Sequence, residues 1–96
     1  MWILEGQPEN GNPVTFRVPE GAIKTVGRST GAEFILDAAL VSRLHCRLTA
    51  TDPALEVVDL DSTNGTFVNG KPIKKALLKP GDRLKIGRVE LMVSKA

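Results

Sequence analysis

The 96-residue sequence has few of the side chains that build disulfides, metal centres and aromatic stacking surfaces. It contains one cysteine, one histidine, one tryptophan, three phenylalanines and no tyrosine. One cysteine cannot form an internal disulfide, and an unpaired thiol fits a reducing compartment. The lone histidine has no cluster of cysteines or carboxylates at metal-ligand spacing around it. The sequence therefore predicts an ordinary apolar core and no metal centre.

Long apolar runs and nucleotide-binding motifs are also missing. No apolar run approaches the roughly 20 residues of a membrane span. Residues 1–5 are too short and too soon charged for a signal peptide. Neither the glycine-rich dinucleotide motif nor the phosphate loop of nucleotide hydrolases occurs. We expect an intracellular protein, in the cytoplasm or nucleus, that contacts no membrane and needs no cofactor.

Charge is unevenly distributed along the chain, although the net charge is only +2. Residues 71–96 hold eight basic residues against Asp82 and Glu90, whereas residues 1–70 hold five basic and nine acidic residues. The basic end indicates either the solvated outer faces of strands or a surface that faces an anion or nucleic acid. The aromatic residues are Trp2, Phe16, Phe34 and Phe67. None lies among these lysines, so nucleic-acid binding lacks a stacking platform and is the less favoured alternative.

Strand patterns dominate the sequence. Apolar and polar residues alternate over residues 14–18, 83–86 and 89–93, and turn signals recur about every ten residues. Such spacing predicts an all-β sandwich or barrel, here a single domain over residues 1–96. Asn69-Gly70 is the strongest hairpin signal, because both central residues of a type I′ turn need positive φ. Residues 34–36 are predicted as a short buried strand, followed by a loop over 37–40.

Two of the predicted loops carry arginines suited to an anionic ligand. Gly27 lets the backbone turn closely after a strand, and Arg28 then presents a planar fork of donors. Ser42 and Arg43 add a hydroxyl and a second guanidinium just before the next strand. Either arginine alone could be an ordinary solvated side chain. Loops at one end of a rigid β scaffold are, however, a common place for a binding site.

A third loop contributes a hydroxyl and a side-chain amide through Thr63-Asn64-Gly65. The amide of Asn64 has both donor and acceptor capacity and can pair with a peptide backbone. The alternative is that Asn64 closes an Asx-turn within its own loop. Together the three loops favour a receptor for an anionic ligand over an enzyme.

Cys46 and His45 are predicted to serve structure rather than catalysis. Cys46 occupies one of the apolar positions in the alternating run 46–50, which predicts a buried core position. His45, its neighbour on a strand, points to the opposite face and is expected to hydrogen-bond to a neighbouring loop. A catalytic triad would need Ser42, His45 and a carboxylate in register. Three residues apart and leading into a strand, Ser42 and His45 are not expected to meet.

The combined motifs are far more specific than any one of them. They are Gly27-Arg28, the run 41–46 with Ser42 and His45, the run 60–70 with Asn64-Gly65, and the run 78–87. In this order, among short strands, they resemble the forkhead-associated (FHA) domain over essentially the whole chain. The resemblance implies a β-sandwich of two twisted, mainly antiparallel sheets with about 11 short strands and binding loops at one end. It also implies a site for phosphothreonine peptides.

The resemblance assigns eight residues to that site by their place in the motifs. They are Arg28, Ser42, Arg43 and Thr63 for the phosphate, Asn64 for the peptide backbone, and Gly27, His45 and Gly65 for the shape of the loops. The partner is then expected to be a threonine-phosphorylated protein or peptide, bound in signalling by a monomeric, non-enzymatic module. A phosphate-independent interaction domain on the same sandwich is the main alternative, and a hydrolase is the weakest.

Overall fold

The computed structural model describes residues 1–9 and 11–96, which form strands joined by turns and loops. In chain order the strands are β1 Trp2–Gly6, β2 Val14–Val18, β3 Ile23–Gly27, β4 Phe34–Ile35, β5 Cys46–Ala50, β6 Leu55–Asp59, β7 Thr66–Val68, β8 Lys71–Ile73, β9 Lys75–Leu78, β10 Arg83–Ile86 and β11 Val89–Lys95. Nowhere in the described chain is there a helix with the length and apolar character needed to cross a membrane.

The eleven strands form two sheets. The first sheet has the order β2-β1-β11-β10-β7-β8, and the second has the order β4-β3-β5-β6-β9. Neighbouring strands pair antiparallel, except for the short parallel contact between β3 and β4. The predicted all-β class, the two mainly antiparallel sheets and the number of strands are thus confirmed.

One apolar core lies between the two sheets. Because successive side chains of a strand point to opposite faces, every second residue is buried along β5 and along β11 as far as Val93. The fully buried side chains come from both sheets and include Trp2, Leu4, Val18, Leu84, Ile86 and Leu91 from the first, and Val26, Leu48, Leu55 and Leu78 from the second. Burial of each large apolar side chain stabilises the fold by roughly 1.5–3 kcal/mol. This shared core fixes the positions of the strand ends from which the loops of the predicted site leave.

The turn between β7 and β8 has the backbone conformation that the sequence predicts. Asn69 and Gly70 have φ of 50° and 84°, and the flanking strands pair with Val68 opposite Lys71. Two successive positive φ values define the type I′ turn and match the right-handed twist of the strands. The hairpin prediction is confirmed.

The short strand that follows the loop after β3 differs from its prediction. Only Phe34–Ile35 forms β4, and Ile35 is 47% exposed, whereas Leu36 lies past the strand and is buried. A two-residue edge strand alternates like any other, so one of its side chains faces solvent. The prediction of a buried three-residue strand was wrong in its length and in its burial. The predicted loop over residues 37–40 is present.

Gly27 ends β3, and its hydrogen-only side chain permits a very close backbone approach. A Cβ atom at Gly27 would lie 2.0 Å from the carbonyl oxygen of Arg43. The two loops also share backbone hydrogen bonds, since the N–H of Arg28 donates to the Ser42 carbonyl at 2.9 Å. Gly27 therefore sets the distance between the loop that follows β3 and the loop that precedes β5.

Gly27→Ala is expected to lower the free energy of unfolding by about 1–3 kcal/mol, because the added methyl group must push the Arg43 carbonyl away. Gly31→Ala is the matched control, since its Cβ would meet only the flexible Ser29 hydroxyl at 3.2 Å. Urea unfolding of the three proteins measures the difference. Equal stability of the two variants would contradict the close approach.

Candidate functional site

Antiparallel pairing brings three loops to one end of the second sheet. Val26 near the end of β3, Cys46 at the start of β5 and Asp59 at the end of β6 are neighbours in register. The loop after β3, the loop before β5 and the loop after β6 therefore leave the sheet side by side. All the residues predicted for the site lie in these loops, except Gly27, which is the last residue of β3.

His45 connects two of these loops from a fully buried position. Its side chain is 0% exposed, Nδ1 accepts the backbone N–H of Ser42 at 3.0 Å, and Nε2 lies 2.8 Å from the carbonyl oxygen of Gly65. A carbonyl oxygen only accepts, so Nε2 carries the proton and Nδ1 does not. Gly65 has φ of 89° and turns its carbonyl towards the ring. The imidazole thus holds the loop before β5 against the loop after β6.

Ser42 and His45 lie in contact, contrary to the expectation from their spacing. The contact runs through the backbone N–H of Ser42, while the Ser42 hydroxyl oxygen accepts the N–H of Thr63 at 3.1 Å. Both ring nitrogens of His45 are already engaged, so neither can take a proton from the hydroxyl. The pair therefore braces the loops and does not form the nucleophile–base pair of a triad.

Arg28 is held at its base and free at its tip. Its Nε donates to the carbonyl oxygen of Val41 at 3.1 Å, and its side chain is exposed. The two terminal guanidinium nitrogens make no hydrogen bond to the described residues. A side chain that is already oriented loses little conformational freedom when it binds a ligand. The guanidinium is therefore a pre-positioned pair of donors.

Two depressions meet at this arginine. One, of about 450 Å³, is lined by Arg28, Asp37, Ala38, Ala39, Leu40, Val41, Ser42, Thr63 and Asn64. The other, of about 600 Å³, is lined by Arg28, Ser29, Ser42, Arg43, Leu44, Asp61 and Thr63. They share Arg28, Ser42 and Thr63, and we call these three residues the ridge between the depressions. A ligand gripped at the ridge can extend into both.

Asn64 lies at the edge of the first depression and is held by the opposite loop. Its Nδ2 donates to the carbonyl oxygen of Leu40 at 3.2 Å. The Leu40 backbone is in the left-handed region, with φ of 69°, and its side chain is 43% exposed. The Oδ1 of Asn64 has no partner among the described residues and can accept an N–H from a ligand. Asn64 therefore does not form the Asx-turn that was its alternative interpretation.

A small polar network below Asn64 shapes the loop after β6. The Asp59 carboxylate accepts hydrogen bonds from the hydroxyls of Ser62 and Thr66, at 2.5 and 2.7 Å, and from the N–H of Ser62. The Ser62 hydroxyl in turn accepts the N–H of Gly65 at 3.0 Å. Burial by itself would raise the pKa of Asp59, but these hydrogen bonds hold it below its ordinary value.

Asp59 is the supporting residue that sequence reasoning missed. Its spacing to Ser62 was a usable signal, since a carboxylate commonly accepts hydrogen bonds from residues two or three positions later. The carbonyls of Leu40 and Val41 were also missed, and no sequence signal identifies them, because any residue type supplies a carbonyl.

Cys46 is a core residue, as predicted. It is fully buried, and burial is the main cause that raises its pKa to about 12, with a smaller contribution from the Asp59 charge. A thiol with so high a pKa is protonated at neutral pH and is not a nucleophile. Within residues 1–9 and 11–96, no group of three or more potential metal ligands comes together.

A family model for the FHA domain matches residues 24–87. The oxoglutarate dehydrogenase inhibitor of Corynebacterium diphtheriae is 40% identical over 68 residues, which cover 71% of this chain and 48% of that protein. This chain spans less than half the length of the curated relatives that it matches first, and only 9% of one of them.

Solved structures resemble the chain over almost its whole length. The FHA domain of FhaA, a protein of Mycobacterium tuberculosis, was solved in complex with the intracellular domain of Rv3910. It is 32% identical with a TM-score of 0.84, covering 97% of this chain and 99% of that one. A domain from a study of phosphothreonine-dependent FHA domain interactions is 32% identical, with a TM-score of 0.83 and coverage of 99% and 96%.

The Asp59 network predicts a specific loss of stability in acid. Because the folded-state pKa of Asp59 is lowered, its contribution is complete above the unfolded-state pKa of about 3.9 and is lost as the pH falls through the folded-state value. Asp59→Asn is expected to cost about 1–3 kcal/mol at pH 7 and to flatten the pH dependence of stability below about pH 4. Urea unfolding between pH 2 and 7 measures both, with Glu20→Gln as the exposed control. A parallel pH profile for Asp59→Asn and the unmodified protein would contradict this role.

Proposed function

We propose that this protein, which belongs to the FHA-domain family, binds proteins or peptides that are phosphorylated on threonine. The observation that carries the proposal is the ridge between the two depressions. There the two terminal guanidinium nitrogens of Arg28 and the hydroxyl of Ser42 border both depressions, and the amide of Asn64 lines the first of them. The work on phosphothreonine-dependent interactions of a structural neighbour supports this assignment.

The phosphate is the part of the ligand that these donors suit. A phosphothreonine carries about −1.5 to −2 charges at neutral pH and three acceptor oxygens. The planar fork of Arg28 matches two of those oxygens, and the Ser42 hydroxyl, which accepts from Thr63, still has its own proton to donate. Each charge-assisted hydrogen bond is worth roughly 1.5–3 kcal/mol. Two or three such bonds, less the costs of association, are compatible with micromolar affinity.

The remaining site residues take roles that follow from their positions. Arg43 is exposed in the second depression and supplies a second positive charge for the phosphate. Thr63 lines both depressions beside the phosphorylated side chain. Asn64 grips the peptide backbone through Oδ1 and its second N–H. Gly27, His45 and Gly65 hold the loops in shape, as their contacts already describe.

The activity we propose is recognition rather than catalysis, in an intracellular signalling role. The engaged imidazole of His45 and the protonated thiol of Cys46 leave the site without an evident nucleophile–base pair. One relative carries the name of an inhibitor and another that of a regulator of glycogen accumulation. A binding module that acts on another protein fits such names, and we propose that this chain is one.

The basic C-terminal portion does not compete as a nucleic-acid surface. Three of its cations are engaged in ion pairs on different parts of the fold: Lys75 with Glu56, Arg83 with Glu90, and Lys95 with Asp52. Its side chains are spread over strands of both sheets and the turns between them, and the two cation–ring contacts, Lys85 over Phe67 and Lys95 over the buried ring of Trp2, lie on different strands. A dispersed set of partly paired charges favours solvated strand faces over a continuous phosphate-binding stripe.

Arg28→Ala is expected to weaken binding of a phosphothreonine peptide by about 100-fold or more, because it removes two charge-assisted hydrogen bonds. The thermal midpoint should change little, since the side chain is exposed and its one hydrogen bond to the described residues, with the Val41 carbonyl, is worth only about 1 kcal/mol. Arg28→Lys should give an intermediate loss, because it keeps the charge but not the fork. Isothermal titration and circular dichroism measure the two properties.

Arg17→Ala is the matched control, since Arg17 lies exposed on β2 in the other sheet and is absent from the site. It should bind like the unmodified protein. If Arg28→Ala retained its affinity within about threefold, the phosphate site would lie elsewhere.

Phosphothreonine is expected to bind more tightly than phosphoserine in an otherwise identical peptide. Contact of the γ-methyl group with the surface beside Thr63 is worth about 0.8 kcal/mol, or roughly fourfold in affinity, and the stiff β-branched side chain adds to it. Fluorescence anisotropy with the two labelled peptides measures the ratio. Equal dissociation constants would show that no methyl pocket exists.

A further inference from the structure

Each depression beside the ridge contains a carboxylate that is not neutralised by the protein. Asp37 lines the first depression and Asp61 lines the second, and both side chains are exposed. Arg28 lines both depressions as well, yet neither carboxylate makes an ion pair or a side-chain hydrogen bond with any described residue. The ion pairs of the structure join other residues: Lys24–Glu33, Lys75–Glu56, Arg83–Glu90 and Lys95–Asp52.

We infer that these two carboxylates make the site selective for phosphorylated segments whose flanking residues are basic, and that acidic flanks are rejected. The inference rests on the proposed function, because it takes the phosphate to lie at the ridge. The ligand is then a phosphothreonine within a lysine- or arginine-containing sequence, and Asp37 and Asp61 are the residues that select this sequence.

This selection follows from the charges that remain in the site once the phosphate is bound. The phosphate, with −1.5 to −2 charges, neutralises Arg28 and Arg43 when it binds. After that neutralisation the depressions on either side retain only the negative charges of Asp37 and Asp61. A lysine or arginine beside the phosphothreonine compensates one of them, whereas a glutamate there adds like-charge repulsion at close range.

The lining of the first depression suits a long basic side chain. Ala39 and Leu40 are exposed next to Asp37 and supply an apolar surface. Lysine and arginine lay their methylene groups along such a surface and place the charged head beyond it. Asp37 lies in the same depression, so the apolar stem and the charged head of one ligand residue have complementary partners.

Asp61 occupies a backbone position that constrains which residues can replace it. Its φ is 54°, in the left-handed region, where glycine is unstrained and aspartate and asparagine are tolerated. Asp61→Asn therefore removes the charge without disturbing the backbone. Asp37→Asn does the same in the other depression, and both variants keep the size of the side chain.

Selection for basic flanking residues and the overall charge of the protein favour opposite orders of peptide affinity. A protein of net charge +2 with two arginines in the site should attract acidic peptides at long range. Three phosphothreonine peptides separate flank selection from long-range attraction. They are identical except at the two residues before and the two residues after the phosphothreonine, which are all lysine, all glutamine or all glutamate. Dissociation constants are measured by fluorescence anisotropy at about 20 mM and about 500 mM salt, where screening differs strongly.

We expect the lysine-flanked peptide to bind most tightly and the glutamate-flanked peptide about tenfold or more weaker at low salt, with a smaller ratio at high salt. Asp37→Asn and Asp61→Asn should each reduce that ratio by about twofold to fivefold, and the double variant by more. Glu20→Gln is the matched control: it makes the same change in net charge in the turn between β2 and β3, at the opposite end of β3 from Arg28.

The possible outcomes distinguish this inference from the proposed function. Binding of all three phosphopeptides with equal affinity, or with preference for glutamate, would overturn the inference and leave the proposed function standing. The same would follow if Glu20→Gln changed the ratio as much as Asp37→Asn and Asp61→Asn. No binding of any of the three would contradict the proposed function and the inference together.

Discussion

The arrangement of the loops at the candidate site depends on the two hydrogen bonds of the buried His45 imidazole. It accepts a hydrogen bond from the backbone of Ser42 and donates one to the backbone of Gly65, so that two loops are tied through one side chain. Because the ring is fully buried, loss of either bond would leave a polar atom unsatisfied in a dry environment, which costs about 1–3 kcal/mol. The loops therefore hold one arrangement.

Two backbone carbonyls add to this bracing and orient the side chains of Arg28 and Asn64. The carbonyl of Val41 holds Arg28 by its Nε, and the carbonyl of Leu40 holds Asn64 by its Nδ2. Both side chains are thus oriented by the same short stretch of the loop before β5. Residues oriented before binding lose less conformational entropy on association. The site combines a rigid frame with donor and acceptor groups that remain free at their tips.

Much of the fold and of the site was predictable because its signals are local. The alternation over residues 83–86 predicts β10 within its observed bounds, and the two φ requirements of a type I′ turn select Asn69-Gly70. Cys46 was placed in the core from its parity in the strand alone. The patterns did not single out β1 or β9. The choice of a sandwich with about eleven strands came from the order of the motifs, since strand patterns fit a barrel equally well.

By itself the sequence determined which residues supply a guanidinium, a hydroxyl or an amide, and where the chain turns, because side-chain chemistry and turn propensity are carried by neighbouring residues. Only the tertiary structure decided that Ser42 meets His45, that Leu40 faces solvent, and that Asn64 is held by a carbonyl 24 positions away. These contacts follow from strand register and from the close approach at Gly27. Register is set by packing across the whole sheet, so no local stretch of sequence contains it.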